Sequence, residues 1–323
     1  MNVRRQHISG LAVAAVTALG LGTLSACSDS VAAGNTEKFD VVASFYPMAY
    51  LAEEIGGEHV NVTTLTQPGQ EPHDLEISVK QTAQLEESDA ALYLKGLQPS
   101  VDEAIAQSEV KTKIDAAGLT SLEKHGTEVG GHAEEHEEEA EHGHDHEHED
   151  GQDPHIWLDP VKYAEVAEGV GKAFEKADPD HAADYRENTA ALVKKLGDLD
   201  TEFEDGLRNT DTKVFITTHA AFGYLAERYG LTEEAISGLD PESEPSAARV
   251  KELSEMAKED GVTTVFYETL VSDRTAKTLA SDAGLKTAVL DPLEGITDKS
   301  AGDDYIQVMK SNLKALRTAL GAK

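Results

Sequence analysis

The sequence contains a single cysteine, Cys27, so the chain cannot form an internal disulfide. Basic residues are also scarce, because Lys and Arg number 28 against 61 Asp and Glu, which gives a net charge of −33. This acidity argues against nucleic-acid binding, which requires a basic surface. It is typical of a solvated extracellular protein, or of a protein whose ligand is a cation.

Long apolar runs are absent after the first residues of the chain, so no later segment of the sequence is expected to span a bilayer. The N-terminus combines Arg4 and Arg5 with a short apolar run and then Leu24-Ser25-Ala26-Cys27, which predicts a secretory signal over residues 1–26. The tetrapeptide resembles a bacterial lipobox and implies a lipid on Cys27. We therefore expect a lipidated tether at 27–37 that holds the protein on the outer face of the cell membrane. The alternative is an incidental cysteine in an ordinary signal peptide.

Strand and helix patterns alternate along most of the remaining chain. Strands are predicted at 39–45, 60–65, 90–94, 110–114, 213–218, 234–238, 262–267 and 286–290. Such alternation favours parallel sheets that are covered by helices on both faces. We predict an α/β fold with two lobes, at 38–177 and 209–323, joined by a long helix at 178–208.

A histidine- and acid-rich segment interrupts this pattern at 125–152. Its low hydrophobicity and dense negative charge predict a disordered loop. The proposed auxiliary ligands within it are His132, His136, His142, His144, His146 and His148. One hypothesis is that these histidines collect metal weakly and pass it to a tighter site. The alternative is a tolerated solvated insertion, because loops accept extra length at little cost.

Four residues stand out as candidate metal ligands. His73, His219 and Asp291 each follow the carboxyl end of a predicted strand, and His155 follows the charged loop. Ligands of open α/β sheets bind at that edge. Since each lobe supplies two of the four residues, a cleft between the lobes would bring them together.

Three imidazoles and one carboxylate form a suitable tetrahedral set for Zn²⁺. Imidazole also binds copper and nickel, whereas a carboxylate in place of one histidine would favour manganese. Asp291 is alternatively a turn residue before Pro292. Glu268 lies at a comparable strand end and is a competing fourth ligand.

Several segments together resemble the solute-binding proteins of zinc and manganese ABC importers, and the zinc branch in particular. The similar segments are Phe45-Tyr46-Pro47, Glu71-Pro72-His73-Asp74, Asp153-Pro154-His155-Ile156-Trp157-Leu158-Asp159-Pro160, Thr218-His219-Ala220-Ala221-Phe222-Gly223-Tyr224 and Leu290-Asp291-Pro292-Leu293. The resemblance implies two α/β lobes, a rigid linking helix, and a metal in the cleft held by His73, His155, His219 and Asp291. Manganese binders tend to have Glu at the position of His219.

The function implied is capture of Zn²⁺ outside the cytoplasm and its delivery to an ABC-importer permease with its cytoplasmic ATPase. We expect a monomer without enzymatic activity that contacts the membrane only through its lipid. The alternatives are a manganese or iron binder of the same architecture, an exported zinc hydrolase and a surface adhesin. In the hydrolase, Glu268 or Asp291 would act as the base, although the sequence has no His-Glu-x-x-His motif.

Overall fold

The computed structural model describes residues 38–126 and 152–323. The predicted signal peptide, Cys27 and the tether lie outside the described residues. So do the six loop histidines, which are His132, His136, His142, His144, His146 and His148. None of the helices in the described ranges is both long and apolar enough to cross a bilayer.

The N-lobe is built around a parallel sheet of four strands in the order β2-β1-β3-β4. Its elements are β1 (Phe39–Ala43), α1 (Tyr46–Gly56), β2 (Val60–Thr64), α2 (Val79–Glu87), β3 (Ala90–Tyr93), α3 (Pro99–Gln107) and β4 (Thr112–Asp115). The chain crosses to opposite sides of β1 to form β2 and β3. This reversal of direction creates a crevice at the carboxyl ends of the strands.

The C-lobe repeats this arrangement in the order β6-β5-β7-β8, again with all strands parallel. Its elements are β5 (Val214–Thr217), α6 (Gly223–Arg228), β6 (Thr232–Ala235), α7 (Ala247–Glu259), β7 (Thr264–Tyr267), α8 (Arg274–Ala283), β8 (Lys286–Val289) and α9 (Tyr305–Ala319). The two lobes therefore share a topology that their sequences do not reveal as a repeat.

The linking helix is α5 (Ala182–Leu207), which follows α4 (Pro160–Ala177) and a short 3-10 turn at Pro179–His181. At about 1.5 Å per residue it is about 39 Å long. Its buried residues recur at helical spacing and are Tyr185, Leu192, Leu196, Leu199, Phe203 and Leu207. The helix packs against α1, α4 and α9. The predicted α/β class and linking helix are confirmed.

One continuous apolar cluster extends from the N-lobe through α5 to the C-lobe. Trp157 lies within it, fully buried, and its indole Nε1–H donates to the backbone oxygen of Pro292 at 2.7 Å. The Tyr305 hydroxyl donates to the backbone oxygen of Trp157 at 2.6 Å. These buried cross-lobe hydrogen bonds fix the segment after His155 against the C-lobe.

The largest difference from the predicted elements is at the strand expected over 234–238, which lies at Thr232–Ala235 as β6. Its register pairs Val214 with Thr232, so β6 itself begins on polar residues. The prediction followed the apolar residues Ala235 and Ile236, which lie at the end of the strand and beyond it. Pairing with β5, rather than local hydrophobicity, sets this boundary.

Candidate metal centre

Four loops at the carboxyl edges of the two sheets carry the candidate site. His73 lies in the loop after β2, and His219 lies two residues after β5. His155 immediately precedes a 3-10 turn at Ile156–Leu158 that leads into α4. Glu294 lies in the loop after β8. Each lobe thus contributes two side chains.

The three imidazoles converge on one carboxylate oxygen. Their Nε2 atoms lie 3.2 Å (His73), 3.4 Å (His155) and 3.3 Å (His219) from Oε1 of Glu294. The side chains of His155, His219 and Glu294 are at most 2% exposed, whereas that of His73 is 12% exposed. Among these four side chains, only that of His73 is accessible to solvent by more than 2%.

Several polar atoms of this cluster lack a hydrogen-bond partner among the described residues. They include Nε2 of both His155 and His219 and Oε2 of Glu294, all of which are buried. A buried polar atom without a partner costs about 1–3 kcal/mol. Three imidazole nitrogens that point at a common centre, two of them without a hydrogen bond, match together with a carboxylate the donor set and tetrahedral preference of Zn²⁺.

The other ring nitrogens of the two buried histidines have carboxylate partners. Nδ1 of His155 lies 2.7 Å from Oδ1 of Asp153, and Nδ1 of His219 lies 2.8 Å from Oε1 of Glu268. A carboxylate at Nδ1 holds the proton there and directs the Nε2 lone pair towards the centre, as in known metal sites. Glu268, considered above as a fourth ligand, instead orients His219 and also accepts the Thr218 hydroxyl at 2.6 Å.

The remaining histidine is positioned through its backbone. Oε1 of Glu71 accepts the N–H of His73 at 2.8 Å. Burial and, to a smaller extent, the nearby charge of Glu294 together raise the pKa of Glu71 to about 8. The loop that carries His73 is thus held in place by a hydrogen bond between two of its own residues.

Burial and charge act in opposite directions on the titrating groups of the cluster. Burial by itself would lower the pKa of His155, but the hydrogen bond with Asp153 and the adjacent Glu294 outweigh it and raise the pKa to about 9. Burial opposes the same effect at His219, where Glu268 and Glu294 hold the pKa well above its usual value. Burial would raise the pKa of Glu294, but the imidazoles of His155 and His219 hold it well below the usual range. A cation entering this site must therefore displace protons.

Asp291, predicted as the fourth ligand, lies outside the convergent cluster, and Glu294 takes its place there. Oδ1 of Asp291 accepts the N–H of Leu293 at 2.8 Å, and its backbone is held by the side chain of Asn312 through two hydrogen bonds. Burial raises the pKa of Asp291 to about 6. The hydrogen bonds of Asp291 are therefore those of a turn residue, which was the alternative considered for it.

The turn after Asp291 explains why the sequence did not reveal Glu294. Leu293 has a φ of 59° and is the only residue other than glycine with a positive φ in the described ranges. This left-handed position redirects the chain so that Glu294, three residues beyond the expected ligand, faces the histidines. The sequence feature that could have indicated Glu294 is an acidic residue shortly after the strand end, two residues beyond an Asp-Pro pair that favours a turn.

Two similar α/β lobes on a long helix, with a buried cluster of three histidines and one carboxylate between them, define a solute-binding protein of the metal-binding class. The family model described as zinc-uptake complex component A, periplasmic (ZnuA), matches residues 41–319. The chain belongs to this family. The resemblance to the zinc branch of the metal solute-binding proteins is confirmed.

Relatives are similar over most of the chain. The zinc-binding lipoprotein AdcA of Streptococcus pneumoniae is 38% identical over 300 residues, which are 91% of this chain and 58% of the relative. This chain therefore spans little more than half the length of that relative. The high-affinity zinc uptake system protein ZnuA of Bacillus subtilis is 37% identical over 325 residues, which are 98% of each protein.

Solved structures show the same fold. The zinc-bound ZnuA-like domain of Streptococcus pneumoniae AdcA is 35% identical, covers 88% of this chain and 99% of that domain, and has a TM-score of 0.72. The laminin-binding protein Lmb of Streptococcus agalactiae is 29% identical, covers 88% of this chain and all of that one, and has a TM-score of 0.75. That structure is described as a bifunctional protein with adhesin and metal transporting activity.

Proposed function

We propose that this protein is the extracytoplasmic receptor of a zinc importer, which captures Zn²⁺ and delivers it to an ABC permease. The observation that carries the proposal is the convergence of three Nε2 atoms on Oε1 of Glu294 at a buried point between the lobes. The names of the relatives, which describe zinc binding and zinc uptake, support it.

The proposed ligands are His73, His155, His219 and Glu294. Three imidazoles favour zinc over manganese, which prefers sites richer in oxygen. Asp153 and Glu268 complete the site by orienting two of the imidazoles. Manganese or iron binding by the same architecture remains the alternative that a direct comparison of metals tests.

The site is proposed to bind metal without catalysis. A catalytic zinc usually has three protein ligands and keeps a position open for water, whereas four protein ligands close the tetrahedron. Both candidate bases of the hydrolase alternative have other roles, because Glu268 orients His219 and Asp291 holds a turn. These arrangements support a carrier rather than an enzyme.

Zinc is proposed to enter and leave the site past His73. Its side chain is the most exposed of the four, at 12%, whereas Glu294 is fully buried. The loop between β2 and α2 carries His73, so a local movement of this loop opens the cluster without separating the lobes. Cross-lobe hydrogen bonds at Trp157 support such a local change over a wide hinge motion.

The delivery partners are proposed to be a permease and its cytoplasmic ATPase. The protein is further proposed to be a monomer, secreted through the signal at residues 1–26 and held on the outer face of the membrane by a lipid on Cys27. Support for the lipid comes from the Leu24-Ser25-Ala26-Cys27 sequence and from the lipoprotein name of a relative. The six loop histidines remain proposed as weak auxiliary zinc ligands.

The deciding experiment is a competition titration of the metal-free protein with Zn²⁺ and Mn²⁺, in parallel with His219→Ala. We expect tight one-to-one zinc binding at the cleft, preference for zinc over manganese, and loss of this tight binding in the variant. Glu259→Gln, an exposed change on α7, serves as the control and should leave binding unchanged. Equal affinity for manganese, or tight zinc binding that survives His219→Ala, would contradict the proposal.

Adhesion is a second candidate function, because structural neighbours include laminin-binding proteins from two Streptococcus species. Immobilised laminin tests it directly, with the protein applied in zinc-loaded and metal-free forms. Saturable binding above that of an unrelated acidic protein supports adhesion. Binding at the level of that control rejects it.

A further inference from the structure

A second group of potential metal ligands lies on the surface near α6. It comprises Glu123, His125 and Glu227, and each offers a ligand atom within 4.8 Å of the others. Glu123 lies just before the acid- and histidine-rich segment, His125 is the first residue of that segment, and Glu227 lies in the last turn of α6. The group is separate from the cleft, since it shares no residue with it.

One buried carboxylate links this surface group to the cleft. Asp153 is 0% exposed, and its Oδ1 holds Nδ1 of His155 at 2.7 Å, whereas its Oδ2 holds Nδ1 of His125 at 3.0 Å. The same side chain therefore orients two imidazoles that leave it in different directions. For both rings, a proton held at Nδ1 makes Nε2 the atom available to a metal.

The imidazole of His125 is held firmly in this orientation. It packs edge-on against the ring of Tyr224, with 4.6 Å between the ring centroids. The Tyr224 hydroxyl accepts the N–H of Glu123 and donates to the backbone oxygen of Asp153, each at 2.8 Å. The phenol thus fixes the backbone on both sides of the site, so that His125 is preorganised rather than freely rotating.

The outward-facing atoms form an open, mixed nitrogen and oxygen set. Nε2 of His125 lies 3.0 Å from Oε2 of Glu227, whose side chain is 58% exposed. Glu123 is partly neutralised because Lys162 Nζ lies 2.9 Å from its Oε1. His125 and Glu227 are therefore the principal candidate donors, and Glu123 contributes through its remaining oxygen.

We propose that Glu123, His125 and Glu227 form a second, weaker binding site for a divalent transition cation of the zinc class. One imidazole and carboxylates, with water at the remaining positions, suit Zn²⁺ and also Cu²⁺ or Ni²⁺. The site is weaker than the cleft because it is open to solvent and has a single imidazole. The carboxylate of Asp153 contacts both His125 and His155. A cation bound at His125 would therefore lie close to the residue that orients His155 in the cleft.

Zinc-edge anomalous scattering from crystals of the full chain grown with excess Zn²⁺ tests this proposal by position. We expect one peak in the cleft and a second about 2.0–2.2 Å from Nε2 of His125. Glu227→Gln should lose the second peak and retain the first. Glu259→Gln, which changes an exposed Glu on α7, should retain both.

A solution measurement gives an independent readout. In ¹⁵N-histidine NMR of the full chain, the His125 signal is identified by its absence in His125→Gln. Excess zinc should shift its Nε2 resonance in the native chain and leave that resonance unmoved in Glu227→Gln. An unshifted His125 signal, no peak at His125 when the cleft is filled, or a peak that survives Glu227→Gln would overturn the second site. An empty cleft beside a filled His125 site would instead overturn the proposed function.

Discussion

The two lobes have the same strand order but hold their ligands differently. In the N-lobe, β1 pairs with β3 over three residue pairs, whereas in the C-lobe β5 pairs with β7 only at Ile216 and Val265. Each lobe also has its own smaller apolar cluster, while the cluster around α5 extends into both lobes. The C-lobe sheet is thus the less extensively paired of the two.

The ligand geometry therefore depends on contacts between the lobes as much as on either sheet. His155 is attached to the C-lobe by the Trp157 indole and the Tyr305 hydroxyl, and Glu294 follows the strained turn at Leu293. His73, by contrast, lies on a loop of the N-lobe and is partly exposed. We therefore expect three of the proposed ligands to be held rigidly and His73 to be able to move.

The largest effect expected is from removing a rigid ligand. His219→Ala should weaken zinc binding more than about 100-fold, beyond the range typical for loss of an orienting partner. His73→Ala should weaken it less, because water can reach this exposed position and take its place as a ligand. Competition titrations of both variants compare the two lobes directly, and equal losses would contradict the distinction between rigid and mobile ligands.

Loss of an orienting carboxylate should have a smaller effect. Glu268→Gln and Asp153→Asn retain the shape of each side chain but remove the charge that stabilises the Nδ1–H group. We expect zinc affinity to fall about 10–100-fold in each. Asp153→Asn should also alter the His125 resonance in NMR, whereas Glu268→Gln should not, because only Asp153 contacts both imidazoles.

Removal of a single hydroxyl group should weaken the hydrogen bonding between the lobes. Tyr305→Phe removes the hydroxyl that donates to the backbone oxygen of Trp157 and leaves that buried oxygen without this donor. We expect the free energy of unfolding in urea to fall by about 1–3 kcal/mol. Tyr229→Phe is the matched control, because its hydroxyl bonds to Asp200 on a more exposed surface. If Tyr229→Phe lowered the free energy of unfolding by as much, the hydrogen bond to Trp157 would contribute no more to stability than that of a more exposed tyrosine.

The stability of the metal-free protein should also depend on pH. The folded pKa of His155 is about 9, above the unfolded value of about 6.5, so this group contributes its full stability below about pH 6.5. That contribution is lost as the pH rises through about 9, at up to about 1.4 kcal/mol per pH unit for one proton. Urea unfolding between pH 6 and 9.5 should show the decline.

The zinc-bound protein should behave in the opposite way. Protons compete with the metal for the imidazoles, so zinc affinity should rise over the same pH range. Glu294→Gln removes the carboxylate that favours the charged imidazoles, and its metal-free form should therefore lose less stability as the pH rises. A stability of the metal-free protein that increases from pH 6 to 9.5 would contradict this account.

Much of the candidate site followed from local patterns. His73 and His219 come after apolar, β-branched runs, and the ends of parallel strands meet at one edge of a sheet, so their approach was predictable. Asp291 satisfied the same rule but lies outside the convergent group, because a turn brings Glu294 to the histidines instead. The partners of the Nδ1 atoms, Asp153 and Glu268, depend on contacts that strand positions do not specify.

The sequence by itself determined the α/β class and the linking helix and predicted the three histidines, because hydrophobic periodicity and strand ends are local properties of the chain. Only the tertiary structure decided which carboxylate meets those histidines and which carboxylates orient them. The physical reason is that such choices depend on distances of a few ångströms between segments far apart in sequence. Those distances are set by the packing of α5, by the left-handed turn at Leu293 and by hydrogen bonds between the lobes.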